Sequence, residues 1–190
     1  MNGRRSQIYT IPNMLSLLRL ALIPVYCTVY LRAQTHTDHF IAATILAVSC
    51  LTDLIDGQIA RRFQMISTLG KILDPLADKL TQLALLVCLS TKYPILLMVL
   101  VLLLLKELSQ TAVAILFFRR GKALPGAIPA GKICTAALFV SFITLVLIPE
   151  LNHKNICIIA FTDAFFLIFA FISYAFAFLG PNPKVQDLEA

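Results

Sequence analysis

The chain has 190 residues, 59% hydrophobic and 14% charged, with a mean hydropathy of +0.86 and a formal net charge of +6. That apolar share excludes an ordinary soluble domain and indicates an integral membrane protein. The positive charge is not a nucleic-acid signature, because no basic cluster is interleaved with aromatics; basic residues flanking membrane spans account for it.

In chain order, Met1–Thr10 reads as a short interfacial segment. Six apolar runs follow, each of about 20 residues and so able to cross about 30 Å of hydrocarbon. They are Ile11–Leu31, Phe40–Ala60, Lys71–Ser90, Pro94–Phe118, Pro129–Ile148 and Ile156–Leu179. Pro181–Ala190 is a polar tail. The expectation is one all-α membrane domain over residues 1–190, a bundle of six transmembrane helices. The first run follows Arg4 and Arg5, but Arg19 interrupts it and no A-x-A pattern closes it, so it reads as a retained helix. Ten basic residues fall at one set of span ends (Arg4, Arg5, Arg61, Arg62, Lys71, Arg119, Arg120, Lys122, Lys132 and Lys184) against three at the other (Arg32, Lys92 and Lys154). That asymmetry places both termini in the cytoplasm, with the end of the second run and the start of the third near the same face. The five cysteines stand singly in apolar runs and read as small buried hydrophobes.

The charges inside this apolar chain are concentrated in LTDLIDGQIARRFQMISTLGKILDPLADKL, residues 51–80, which contains Asp53, Asp56, Asp74 and Asp78. If the segments before about Ala60 and after about Gly70 are helical, the first pair is spaced i, i+3 and the second i, i+4. Each pair then occupies one helix face. A short connection through Arg61 and Arg62 folds the helices antiparallel and brings the four carboxylates together. Acids converging in a low-dielectric place need cations to stay ionised. Oxygen-only ligation suits magnesium or manganese, and two such ions between facing helices make a clamp for phosphoryl chemistry.

Read with its spacing, the stretch is Asp53, two residues, Asp56-Gly57, two residues, Ala60-Arg61, eight residues, Gly70, three residues, Asp74, three residues, Asp78. It resembles the signature of the CDP-alcohol phosphatidyltransferase family at every fixed position, and the opening IPNMLSLLR is similar to the first helix of bacterial members. The resemblance implies phosphatidyl transfer from CDP-diacylglycerol to an alcohol with release of CMP. It makes Asp53, Asp56, Asp74 and Asp78 ligands of two Mg2+ or Mn2+ ions, and Asp78 also the base for the acceptor hydroxyl. Gly57, Ala60 and Gly70 would let a base and diphosphate approach the backbone, and Arg61 would hold the diphosphate. Close helix packing is the structural alternative for the three small residues. The resemblance also implies a homodimer and a bacterial inner-membrane location, with the site facing the cytoplasm.

The start and the length resemble the phosphatidylglycerophosphate synthase branch, whose acceptor is glycerol 3-phosphate. Lys132, in a GKICT segment similar to a G-K-x-x-T of family members, is then the acceptor-binding candidate, with Arg119 and Arg120. Positive-inside anchoring is the alternative for the two arginines. Glycerol 3-phosphate is the expected acceptor. Two departures weaken the binding of its dianion and make the cardiolipin synthase branch, whose acceptor is phosphatidylglycerol, the close alternative: Lys106 stands where the first branch usually has arginine, and Cys134 where a second lysine is usual. A small ion or proton transporter is the alternative from another class. It predicts polar residues continuing past Asp78, whereas the third run goes on as LALLVCLS. Arg19, inside the first run, needs either a buried carboxylate or a lipid phosphate. Lys106 and Glu107, adjacent and about 100° apart, do not face each other well, so each is expected to contact a different neighbouring helix or a water-filled cavity, with Glu107 in a structural pairing rather than on a substrate hydroxyl.

Overall fold

The computed structural model describes residues 11–62, 70–119, 122–123, 128–179 and 186–187. The expected interfacial segment and most of the polar tail lie outside these. Among the described residues there are six helices: α1 (Ile11–Arg32), α2 (His36–Arg62), α3 (Gly70–Lys92), α4 (Leu96–Arg119), α5 (Pro129–Leu147) and α6 (His153–Leu179). Between α4 and α5 lies β1 (Lys122–Ala123), paired antiparallel with β2 (Gln186–Asp187) after α6. Among the described residues four helices are long and apolar enough to cross a membrane, namely α1, α4, α5 and α6. The two aspartate-bearing helices, α2 and α3, are not in that set.

The chain divides into two compact units. The first holds residues 1–92 and 142–150. In it α1 packs against both α2 and α3. Its core is built from Tyr26 and Tyr30 of α1, Ala42, Ala43 and Leu46 of α2, and Ala77, Leu85, Leu86 and Leu89 of α3. Alanines at these contacts let the helices approach closely. Pro24 lies inside α1 and cannot donate to the preceding turn; one turn on, Thr28 Oγ1 donates to the carbonyls of Pro24 and Val25, both at 2.9 Å. The α1–α2 turn ends in a reciprocal cap. Asp38 Oδ2 accepts the backbone N–H groups of Thr35 (2.9 Å) and Gln34 (3.0 Å), and Thr35 Oγ1 accepts that of Asp38 (3.2 Å). This satisfies donors that the helix start leaves without intrahelical partners.

The second unit holds residues 93–141 and 151–190, with α4 packed against α6. The buried face of α6 is Ile156, Ala160, Ala164, Leu167 and Ala170, a helical period. Its other faces expose Ile158, Phe161, Phe165 and Phe176, as a helix turned toward lipid does. All five cysteines are free thiols, Cys88 and Cys134 fully buried.

Candidate active site

The backbone of α2 is helical through Asp53, Asp56, Gly57, Ala60 and Arg61, and that of α3 from Gly70 through Asp74 and Asp78. The i, i+3 and i, i+4 spacings therefore do place each aspartate pair on one helix face. The segment joining the two helices, and the side chains of Asp53, Asp56, Gly57, Ala60, Arg61, Gly70 and Asp74, lie outside the described residues. Both helices pack on α1.

Asp78 is the member of the constellation whose side chain is described. Arg19 Nη1 of α1 donates to Asp78 Oδ1. The Arg19 side chain is 2% exposed and that of Asp78 44%. Of the two partners considered for Arg19, the structure supplies the carboxylate. Asn13 and Ser16, six and three residues before Arg19, are also buried. A polar line thus runs along α1 inside IPNMLSLLR. Sequence reasoning singled out Arg19 in that segment and passed over Asn13 and Ser16; the signal was there, in polar residues every third position of an apolar run.

The four aspartates that the sequence singles out on α2 and α3 offer carboxylate oxygen alone, a donor chemistry that would fit hard divalent ions. Of the four side chains, that of Asp78 is described, and it pairs with Arg19.

In the second unit Arg119 closes α4 and is exposed, and Lys132 is exposed in the first turn of α5. Arg120 lies outside the described residues. Lys106 and Glu107 correct the expectation that they contact different neighbours. Lys106 Nζ donates to Glu107 Oε1 at 2.8 Å, with both side chains largely buried. Cα directions 100° apart do not prevent this, because a lysine stem is long enough to turn back, and burial of both charges favours the turn. Cys134 is fully buried in α5.

Asp163 was missed altogether. It is 0% exposed in α6, with Ser141 Oγ donating to its Oδ1 at 2.7 Å. Its Oδ2 has no hydrogen-bond partner among the described residues. An acid within an apolar span is itself the signal that reveals such a residue.

The family model for CDP-alcohol phosphatidyltransferase matches residues 9–179, and the chain belongs to that family. The chain is 35% identical over 144 residues to a CMP-forming cardiolipin synthase of Streptomyces coelicolor, covering 74% of this chain and 66% of the relative. It is 34% identical over 119 residues to a probable phosphatidylglycerophosphate synthase of Mycobacterium tuberculosis, covering 62% and 57%. A putative cardiolipin synthase of Mycobacterium tuberculosis is 42% identical over 76 residues, 40% of this chain and 35% of that one. The chain spans less than two thirds of the length of these curated relatives.

Proposed function

We propose that the protein transfers the phosphatidyl group of CDP-diacylglycerol to a glycerol-bearing alcohol and releases CMP. The observation that carries this is the aspartate spacing on two helices packed to a common third, with Arg19 of that third helix holding Asp78. In the reaction the acceptor hydroxyl oxygen bonds to the phosphorus nearer the lipid, and the bond from that phosphorus to the oxygen of CMP breaks. Asp78 takes the hydroxyl proton, and CMP leaves with the bonding electron pair. Arg19 keeps the Asp78 carboxylate in place for this step. Gly57, Ala60 and Gly70 leave room for the nucleotide along the helix backbones, and Arg61 pairs with the diphosphate. Asp53, Asp56, Asp74 and Asp78 would hold two Mg2+ or Mn2+ ions, which draw charge from the diphosphate oxygens. The excess of basic residues at the ends of α2, α3, α4 and α5 supports a site on the cytoplasmic side of the membrane; the family resemblance is what suggests a bacterial inner membrane.

Phosphatidylglycerol is the acceptor that the side chains support better. Lys106 is paired with Glu107, and Cys134 is buried where a second lysine would add charge. A singly charged diester needs fewer cations than a phosphate dianion, and two of the three relatives above carry cardiolipin synthase names. Glycerol 3-phosphate is the second reading, supported by the exposed Arg119 and Lys132 and by the phosphatidylglycerophosphate synthase relative. In either case Lys132 binds acceptor phosphate. Purified protein incubated with CDP-diacylglycerol and each acceptor in turn tests the choice. Cardiolipin is the expected product; product from glycerol 3-phosphate alone would reverse the order.

A further inference from the structure

We propose that Tyr174 is a positioning residue for Lys132: its ring and hydroxyl fix the first turn of α5 and so aim the lysine at the acceptor. The inference rests on the acceptor role given to Lys132 above.

Helix α5 starts at Pro129, which presets the helical φ and brings no N–H of its own. Ile128 stands in the capping position without a side-chain oxygen, so its cap is made elsewhere. Its carbonyl accepts the backbone N–H groups of Gly131 (2.9 Å) and Lys132 (3.3 Å). Its own N–H donates to Tyr174 Oη at 3.4 Å, from 46 residues away on α6. The phenol is thus the tertiary tie on the residue that organises the turn.

Gly131 is in direct contact with the same ring. A Cβ placed there would lie 2.6 Å from Tyr174 Oη, 3.0 Å from Cε2 and 3.2 Å from Cζ. The glycine of the GKICT segment is therefore explained by the tyrosine against it. One turn further along α6, Phe178 holds the ring at a centroid distance of 5.6 Å and a tilt of 37°, and Phe178 is itself buried. Gly131 is buried against the ring while Lys132 is exposed. The contact thus fixes the backbone from one side and presents the lysine on another. A lysine ammonium is a point charge on a flexible stem, and the backbone that carries it sets where it can reach.

The test varies the concentrations of phosphatidylglycerol and glycerol 3-phosphate separately, and that of CDP-diacylglycerol, in wild type, Lys132→Ala, Tyr174→Phe, Gly131→Ala and two double variants. Tyr174→Phe keeps the ring and removes the acceptor oxygen. It should raise the KM of the acceptor used about two- to tenfold and leave that of CDP-diacylglycerol unchanged. Adding Tyr174→Phe to Lys132→Ala should cost little more than Lys132→Ala alone, since the residue being aimed is already gone. Gly131→Ala should be worse than Tyr174→Phe, and Gly131→Ala with Tyr174→Phe should recover part of the loss, because removing Oη relieves the tightest contact. Hydrogen exchange read at the amides of residues 128, 131 and 132 should speed up in Tyr174→Phe, with α4 unchanged.

If Lys132→Ala raises the acceptor KM and Tyr174→Phe does not, the positioning role is wrong and the acceptor role stands. If Lys132→Ala leaves the acceptor KM unchanged, the acceptor role itself fails and the inference falls with it. Equal losses for donor and acceptor in Tyr174→Phe, or unchanged exchange, also overturn it.

Discussion

Arg19 on α1 and Asp78 on α3 form an ion pair that joins the first apolar helix to the aspartate-bearing one. The pair is unequal in setting. The guanidinium is buried, while the carboxylate keeps nearly half of its surface open, an exposure in keeping with the proposed role of Asp78 as base.

Arg19→Ala is expected to destabilise the protein. Breaking a fully buried pair costs about 3–5 kcal/mol; the open side of Asp78 reduces this, and a charged hydrogen bond of about 1.5–3 kcal/mol is the better guide. Arg19→Lys keeps the charge but loses the fork, so it should fall between Ala and wild type. Thermal melts in detergent measure the order. Wild-type stability and turnover in Arg19→Ala would remove the pair from the account.

Lys106 and Glu107 predict a second stability pattern. Both are largely buried, so Glu107→Leu strands a cation in an apolar unit and should cost about 3–5 kcal/mol. Lys106→Met combined with Glu107→Leu removes both charges and should be more stable than the single variant. A double variant no better than the single one would show that these side chains do not act as a pair.

The cap on α2 predicts a pH effect away from the membrane-spanning segments. The backbone N–H groups of Thr35 and Gln34, helped by the Thr35 hydroxyl, hold the Asp38 carboxyl below its usual range. With the folded value below the unfolded one, near about 4, the cap contributes fully above the unfolded value. Its contribution is lost as pH falls through the lower, folded value. Melting temperatures of wild type and Asp38→Asn should therefore differ most near neutral pH and converge in acid. A constant difference across the range would contradict the assignment.

The helices were legible because apolar runs and their polar ends set them. The fourth shows the margin: its run begins at Pro94, whereas α4 begins at Leu96, after a turn in which the Leu96 N–H reaches the Tyr93 carbonyl at 2.9 Å. The helical backbone beneath the four aspartates was legible because their spacing encodes a helix face directly. Periodicity could not give Lys106 with Glu107, because it records where a Cβ points and says nothing of how far a lysine stem reaches. Asp163 escaped because one acid disappears into the average hydropathy of 27 residues. The contact of Gly131 with Tyr174 joins residues on different helices, and no local pattern in either records the other.

The most direct test of the account follows CMP release by purified wild type and Asp78→Asn from CDP-diacylglycerol, with phosphatidylglycerol present, in magnesium and in excess chelator. Asparagine keeps the shape of the side chain and cannot accept the proton, so a loss of about 10²–10⁴ in rate is expected, with CDP-diacylglycerol still bound. Chelator should abolish turnover in the wild type and added magnesium or manganese should restore it. Undiminished CMP release by Asp78→Asn, or by wild type in chelator, would contradict the account.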